Sequence, residues 1–190
     1  MYPSMPLDAE RVKLEYFYLA TQYYTAARYS ARAALTPVCG NLFHHAIELY
    51  VKGALSERVS GEEMKNLGHR LINIWGRFKV QFPDPSLERF DGPIAALDKF
   101  ESIRYPEKLV SEGAVCVFTF ERFDAARMAS YSPGSAPSYV LMVGELDALV
   151  GLVFDKAQLN RAAFFSNNQH AKRYLEEVME FRWHPGRPAR

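Results

Sequence analysis

The run Gly40–Leu55, GNLFHHAIELYVKGAL, sets two adjacent histidines, a glutamate and a lysine inside an otherwise apolar stretch. Wound as a helix from Val38, it collects Asn41, His44, His45, Glu48 and Lys52 in one narrow sector. Leu42, Phe43, Ala46, Ile47, Leu49, Tyr50, Val51 and Ala54 cover the remainder. A helix apolar over more than half its circumference sits at the centre of a packed structure. Its neighbours must therefore be elements that can bury it from several sides, and its polar seam must face either water or a polar crevice.

The flanking sequence supplies such neighbours. Asp8 is an N-cap candidate, since its carboxylate can accept from the free amides of a first turn. The helix it opens runs to about Leu35, with Tyr16, Ala20, Tyr23, Ala27, Ala31 and Ala34 at helical spacing. Pro37 suits the first turn of the second helix, where a missing N–H costs nothing. After the polar segment SERVSGEEMKN, a third helix carries Leu71, Ile74, Trp75 and Phe78. The prolines of QFPDPS interrupt the chain. A further helix begins near Pro93 and carries Ile94, Leu97, Phe100 and Ile103 as far as Tyr105, which precedes a proline.

The pattern then changes. Ala114–Phe120 (AVCVFTF) and Ser138–Val143 (SYVLMV) are short, rich in strand formers and bounded by turn residues, and are expected to pair as a hairpin. Their connection contains SYSPGSAPS, a Gly/Pro/Ser-rich stretch. A helix with Leu146, Leu149, Val150 and Val153 on one face follows, and a last one spans roughly Asn168 to Phe181. The expectation is an all-α, up-and-down bundle of five or six helices in a single domain over 1–190. Its core covers about 8–106, the β insertion about 113–143, the C-terminal helices about 144–181 and the tail 182–190. A chain of 190 residues with 48% apolar residues, thirteen Phe and eleven Tyr can bury a substantial core.

Composition also removes function classes. A net charge of +1 does not argue for nucleic acid by charge alone. Cys39 and Cys116 make neither a zinc set nor a disulfide framework, and read as reduced thiols of a cytoplasmic protein. No secretory signal and no membrane-spanning run is read. P-loop, GxGxxG, GxSxG and HExxH patterns are not found.

The histidine-rich seam admits two interpretations. One is a solvated face in which Glu48 and Lys52 form an i, i+4 pair. The other is a groove in which imidazoles, a carboxylate and an ammonium hold phosphate or sugar hydroxyls. His69 and Arg70 open the third helix, where exposed amides attract anions. Arg104 either complements a helix dipole or clamps phosphate with its planar fork. A metal shared by His44, His45 and Glu48 would need ligands from other helices, such as His69 or His170. No second Glu-x-x-His or His-x-x-His appears, so neither metal nor cofactor is expected. Tyr16, Tyr18, Tyr23, Tyr24 and Tyr29 form an aromatic core stripe or a stacking platform. Arg28 and Arg32 meet solvent or phosphate. The tail carries Arg182, Arg187 and Arg190 around Trp183 and His184, as a frayed end or a contact for RNA.

Three features in order resemble the HEPN superfamily (higher eukaryotes and prokaryotes nucleotide-binding). They are the first-helix stretch YYTAARYSARAAL, the His45-Ala46-x-Glu48-x-x-x-Lys52 order of the second helix, and the Gly68-His69 pair before the third, with IRYP later. The likeness spans the first helix through about Pro106. It implies an up-and-down bundle, often dimeric, among ribonuclease toxins, nucleotide-binding domains and partners of minimal nucleotidyltransferases. The nuclease members share an Arg-x4–6-His motif. None of the five histidines here has an arginine at that distance before it, and residues 109–111, after Arg104, are Leu, Val and Ser. The expectation is therefore a non-catalytic or regulatory domain binding a nucleotide or RNA through His44, His45, Glu48, Lys52, His69, Arg70 and Arg104. A homodimer and a nucleotidyltransferase or antitoxin partner are expected. The alternatives are a metal-independent ribonuclease with a rearranged site and a purely structural or interaction module.

Overall fold

A computed structural model describes residues 8–119 and 137–166 of the chain. Its first helix, α1 (Ala9–Arg32), is capped by Asp8, whose carboxylate accepts from the Glu10 amide at 3.1 Å. α1 ends three residues earlier than its pattern suggested, because Ala34 takes a left-handed φ of 54° that no helix continues through. Its buried face runs through Phe17, Ala20, Tyr24, Ala27 and Ala31, while Tyr23 is half-buried and Ala34 is exposed. The small alanines let α1 lie close along α2 (Val38–Leu55). At Gly53 the two helices leave no room for a side chain: an added Cβ would stand 2.8 Å from Tyr16 Cβ.

α2 is the central rod, as its composition demands. Cys39, Phe43, Ala46, Ile47, Tyr50, Val51 and Leu55 are buried, with α1 on one side and the later elements on the others. Pro37 occupies the N-cap rather than the first helical position. The polar segment after α2 holds a short helix, α3 (Gly61–Asn66), capped by Ser60 accepting from the Glu63 amide. α4 (Leu71–Gln81) buries the expected Leu71, Ile74, Trp75 and Phe78, with Trp75 stacked on Phe78 at 5.1 Å.

The prolines do not simply break the chain. Pro85–Phe90 forms a 3-10 helix capped by Asp84 and leads into α5 (Asp91–Asp98). A second 3-10 helix, Lys99–Ile103, follows and buries Phe100 and Ile103. The expected single helix from Pro93 is thus two tighter and looser turns in series. Tyr105 is extended, as a residue before proline should be, and Pro106 opens α6 (Pro106–Glu112), which was not foreseen.

The β insertion corrects the hairpin expectation. β1 (Val115–Thr119) and β2 (Ser138–Met142) pair in parallel, with Val115 opposite Ser138 and Thr119 opposite Met142. A hairpin needs a tight turn, whereas parallel strands need a crossover of about a dozen residues or more. The long connection meets the second condition and not the first. β2 runs directly into α7 (Val143–Lys156), which buries Leu146, Leu149, Val150 and Val153, and α8 (Arg161–Ser166) packs Phe164 against Phe17, Tyr18 and Phe154. The fold is mainly α with one small parallel sheet. The described residues hold more and shorter helices than the five or six expected, because the proline-rich stretches bend the chain without stopping it. The expected helix from Asn168 to Phe181, the tail and His170 lie outside the described residues, as does most of SYSPGSAPS. Among the described residues, no helix is long and apolar enough to cross a membrane.

α1 and α7 are locked by a buried polar cluster. Arg28 is 2% exposed, and its Nη1 donates to Asp147 Oδ2 at 2.8 Å. The Tyr24 hydroxyl donates to Asp147 Oδ1, and Thr21 Oγ1 pairs with the Tyr50 hydroxyl at 2.9 Å. Arg28 therefore meets neither solvent nor phosphate. Burial pushes the Asp147 carboxyl up to about 6 against the opposing pull of Arg28 and Tyr24.

Gly40 marks a second close approach. A Cβ there would fall 2.0 Å from Phe100 Cδ1, inside a ring that is itself buried. Gly40→Ala is expected to destabilise the protein by about 1–3 kcal/mol through forced displacement of Phe100. Urea unfolding followed by circular dichroism checks this, and an unchanged midpoint would refute it.

Candidate functional site

Three of the five seam residues of α2, His44, Glu48 and Lys52, are buried, while Asn41 and His45 are half-buried. Glu48 is only 4% exposed and Lys52 only 8%. What covers them is the segment Gly68–Arg70 ahead of α4. Lys52 Nζ donates to Glu48 Oε1 at 2.7 Å and to the Gly68 carbonyl at 2.6 Å. Gly68 has φ 62°, a conformation that costs glycine nothing and strains a residue with a side chain. That turn brings its carbonyl onto the ammonium. His69 then joins through Nδ1 to Glu48 Oε1 at 2.8 Å, while 75% of its side chain stays exposed. His45 Nδ1 lies 3.8 Å from Glu48 Oε2. Burial pushes the Glu48 carboxyl up, but the nearby His45 imidazole, the hydrogen bonds from Lys52 and His69 and the charge of Lys52 outweigh it and hold it at about 2.

α4 starts at Leu71, so His69 does not cap the helix and Arg70 takes the N-cap position without a side-chain cap bond. The capping carboxylate comes from α5. Asp98 Oδ1 accepts from the Leu71 amide at 2.7 Å, and Oδ2 accepts from Arg70 Nε at 3.1 Å and lies 3.0 Å from Arg70 Nη2. The anion at this helix start is thus a protein side chain. The same α5 and the 3-10 helix after it flank His44. Its Nε2 stands 4.0 Å from Asp98 Oδ1 and its Nδ1 stands 3.7 Å from Glu101 Oε2, both beyond hydrogen-bond length. His44 is 3% exposed, and burial lowers its pKa despite the opposing pull of the neighbouring carboxylates. Arg104 Nη1 reaches Glu101 Oε1 at 3.3 Å from an exposed position.

These groups border one cavity of about 260 Å³. His44, His45, Glu48, His69 and Arg104 of the expected set line it, together with Asn41 and Glu101. Tyr23, Val38 and Leu42 form its less polar walls, and Tyr23 meets His45 edge-on at 4.4 Å. Lys52 and Arg70 do not line it, since each is turned to a carboxylate. Two buried polar atoms, Asn41 Oδ1 and His44 Nε2, have no hydrogen-bond partner among the described residues. Among the described residues, no three His, Cys, Asp or Glu side chains converge as a metal site would require.

Tyr23, Asn41, Asp98 and Glu101 escaped the sequence-based site. Asn41 shares the α2 seam, and Asp98 shows a signal, being the carboxylate four residues after Ile94 on an otherwise buried face. Tyr23 stood in the aromatic stripe of the first helix, legible as core or as a stacking platform but not as a neighbour of His45, and Glu101 had no signal, because nothing local sets their spatial partners.

Glu48→Ala would leave the Lys52 ammonium buried beside a carbonyl alone, and is expected to cost about 3 kcal/mol. The pH dependence has a definite sign. The folded Glu48 pKa lies below its ordinary 4.5, so its stabilisation is complete above that pH and is lost as pH falls toward about 2. Urea midpoints measured across that window should fall more steeply for the parent chain than for Glu48→Gln; parallel curves would contradict the assignment. In comparisons with known proteins, no family model, no curated protein and no solved structure matches this chain, so its chemistry has to be argued from these residues.

Proposed function

We propose that the chain is a HEPN-like domain that binds a nucleotide, or one nucleotide unit of RNA, in the cavity beside α2, in a non-catalytic or regulatory role in the cytoplasm. One observation carries the reading: five residues singled out for such a site, spread from His44 to Arg104, border a single concavity. Its size favours one small moiety, since pockets for drug-sized ligands start near 300 Å³. Imidazoles and an amide supply hydrogen bonds, Tyr23 supplies an aromatic wall, and Arg104 supplies an exposed cation at the border. Lys52, assigned to phosphate from the sequence, instead keeps Glu48 ionised and holds the Gly68 turn in place. A homodimer and a nucleotidyltransferase or antitoxin partner belong to the same proposal.

A second reading, a metal-independent ribonuclease, draws on the His69–Glu48 pair. An exposed imidazole whose Nδ1 is bound to a buried, ionised carboxylate is oriented as a general base would be.

A ligand that binds only the folded state raises its stability by about 2.7 kcal/mol at a hundredfold excess over Kd. For a domain of this size that corresponds to a Tm increase of at least about 5 °C. Nucleoside monophosphates and a short single-stranded RNA are the probes, and the RNA is afterwards run on a denaturing gel. A Tm rise with intact RNA is the expected result. Cleaved RNA, lost in His69→Ala, would favour the second reading, and a flat Tm with all probes would remove the first.

A further inference from the structure

The hydrogen-bonding balance of the cavity is lopsided. Cations that could neutralise a phosphate inside it are already committed. Lys52 is buried on Glu48 and Gly68, and Arg70 is forked onto Asp98 away from the cavity wall. Among the described residues, the fully charged groups that line it are Glu48, Glu101 and Arg104. An anion placed inside would find each neighbouring cation already paired with a carboxylate, Lys52 with Glu48, Arg70 with Asp98 and Arg104 with Glu101.

Acceptors, by contrast, are in surplus. Asn41 Oδ1 is buried without a donor, and the imidazole nearest Glu101 Oε2 stands at 3.7 Å. His44 adds an independent observation. It is 3% exposed and lines the cavity, and its Nδ1 stands 3.7 Å from Glu101 Oε2, leaving that oxygen without a hydrogen bond from the ring. Buried polar atoms are hydrogen-bonded in most proteins, and leaving one unpaired is costly. A group that brings N–H donors to Glu101 Oε2 and Asn41 Oδ1, and no negative charge, matches these two acceptors. Tyr23, Leu42 and Val38 suit the flat faces of a ring.

We propose that a nucleotide enters this cavity base first, with an exocyclic amino group donating to Glu101 and Asn41 beside His44, and with its phosphate left at the border near Arg104. The inference rests on the nucleotide reading above and adds to it an orientation and a class of base. Amino-bearing bases are accepted, and bases with a carbonyl at the same carbon are disfavoured, because a carbonyl sets acceptor against acceptor.

Two matched pairs of probes isolate the one substituent: adenosine against inosine 5′-monophosphate, and cytidine against uridine 5′-monophosphate. Titration calorimetry on the full chain should show the amino member of each pair binding at least tenfold more tightly. Glu101→Gln, at a partly exposed position, should narrow the gap to below threefold while leaving the Tm within about 2 °C of the parent; Asn41→Ser gives the same readout should Glu101→Gln fail to fold. Equal binding within both pairs would overturn the orientation and leave nucleotide binding standing. Binding of none of the four would take away both.

Discussion

A carboxylate buried in the middle of an apolar helix has to be compensated, and at Glu48 the compensation comes from both local and distant chain. Lys52, one turn later on α2, provides the ammonium, and His69 provides a second bond to the same oxygen. Because Lys52 also holds the Gly68 carbonyl, the segment ahead of α4 is pinned onto α2. The helix axis of α4, the location of His69 and one wall of the cavity all follow from that attachment. An ion pair of this kind is a weak source of net stability but a strict condition on geometry, since either partner left alone is costly. The seam therefore positions its neighbours more than it strengthens the fold.

Asp98 extends the same logic from the other side. A carboxylate at the N-terminus of a helix satisfies free amides and the positive end of the dipole. Here it comes from α5, 27 positions downstream of Leu71, and so joins α4 to α5 at the point where both meet α2. Glu101, one turn further, turns toward His44 and Arg104. The cavity exists because two carboxylate hubs draw three elements together at their polar ends while their apolar faces pack below. The Arg28–Asp147–Tyr24 cluster performs an equivalent joining of α1 to α7 on a separate face of the core.

Much of this was legible residue by residue. The helical spacing in α1, α2, α4, α5 and α7 reports burial directly, since a side chain's face on a helix is a function of its index alone. Pro106 and Asp8 acted locally as expected. The strand orientation was not legible, because pairing direction depends on where a long connection returns, which short-range signals do not encode. Helix starts moved by a residue or two for the same kind of reason: Leu71 begins α4 because a distant Asp98 caps it, and no neighbour in sequence announces that.

What the sequence by itself determined was the central place of α2, the existence of its polar seam and the identity of most side chains on it. Periodicity and hydropathy are properties of the linear chain, so they survive without coordinates. Only the tertiary structure decided that Glu48 and Lys52 are roofed rather than wetted, that Lys52 and Arg70 are spent on carboxylates, and that Asp98 and Glu101 flank a buried His44. Those facts are distances between atoms far apart in the chain, set by how the helices pack, and charge neutralisation in a protein interior depends on such distances alone.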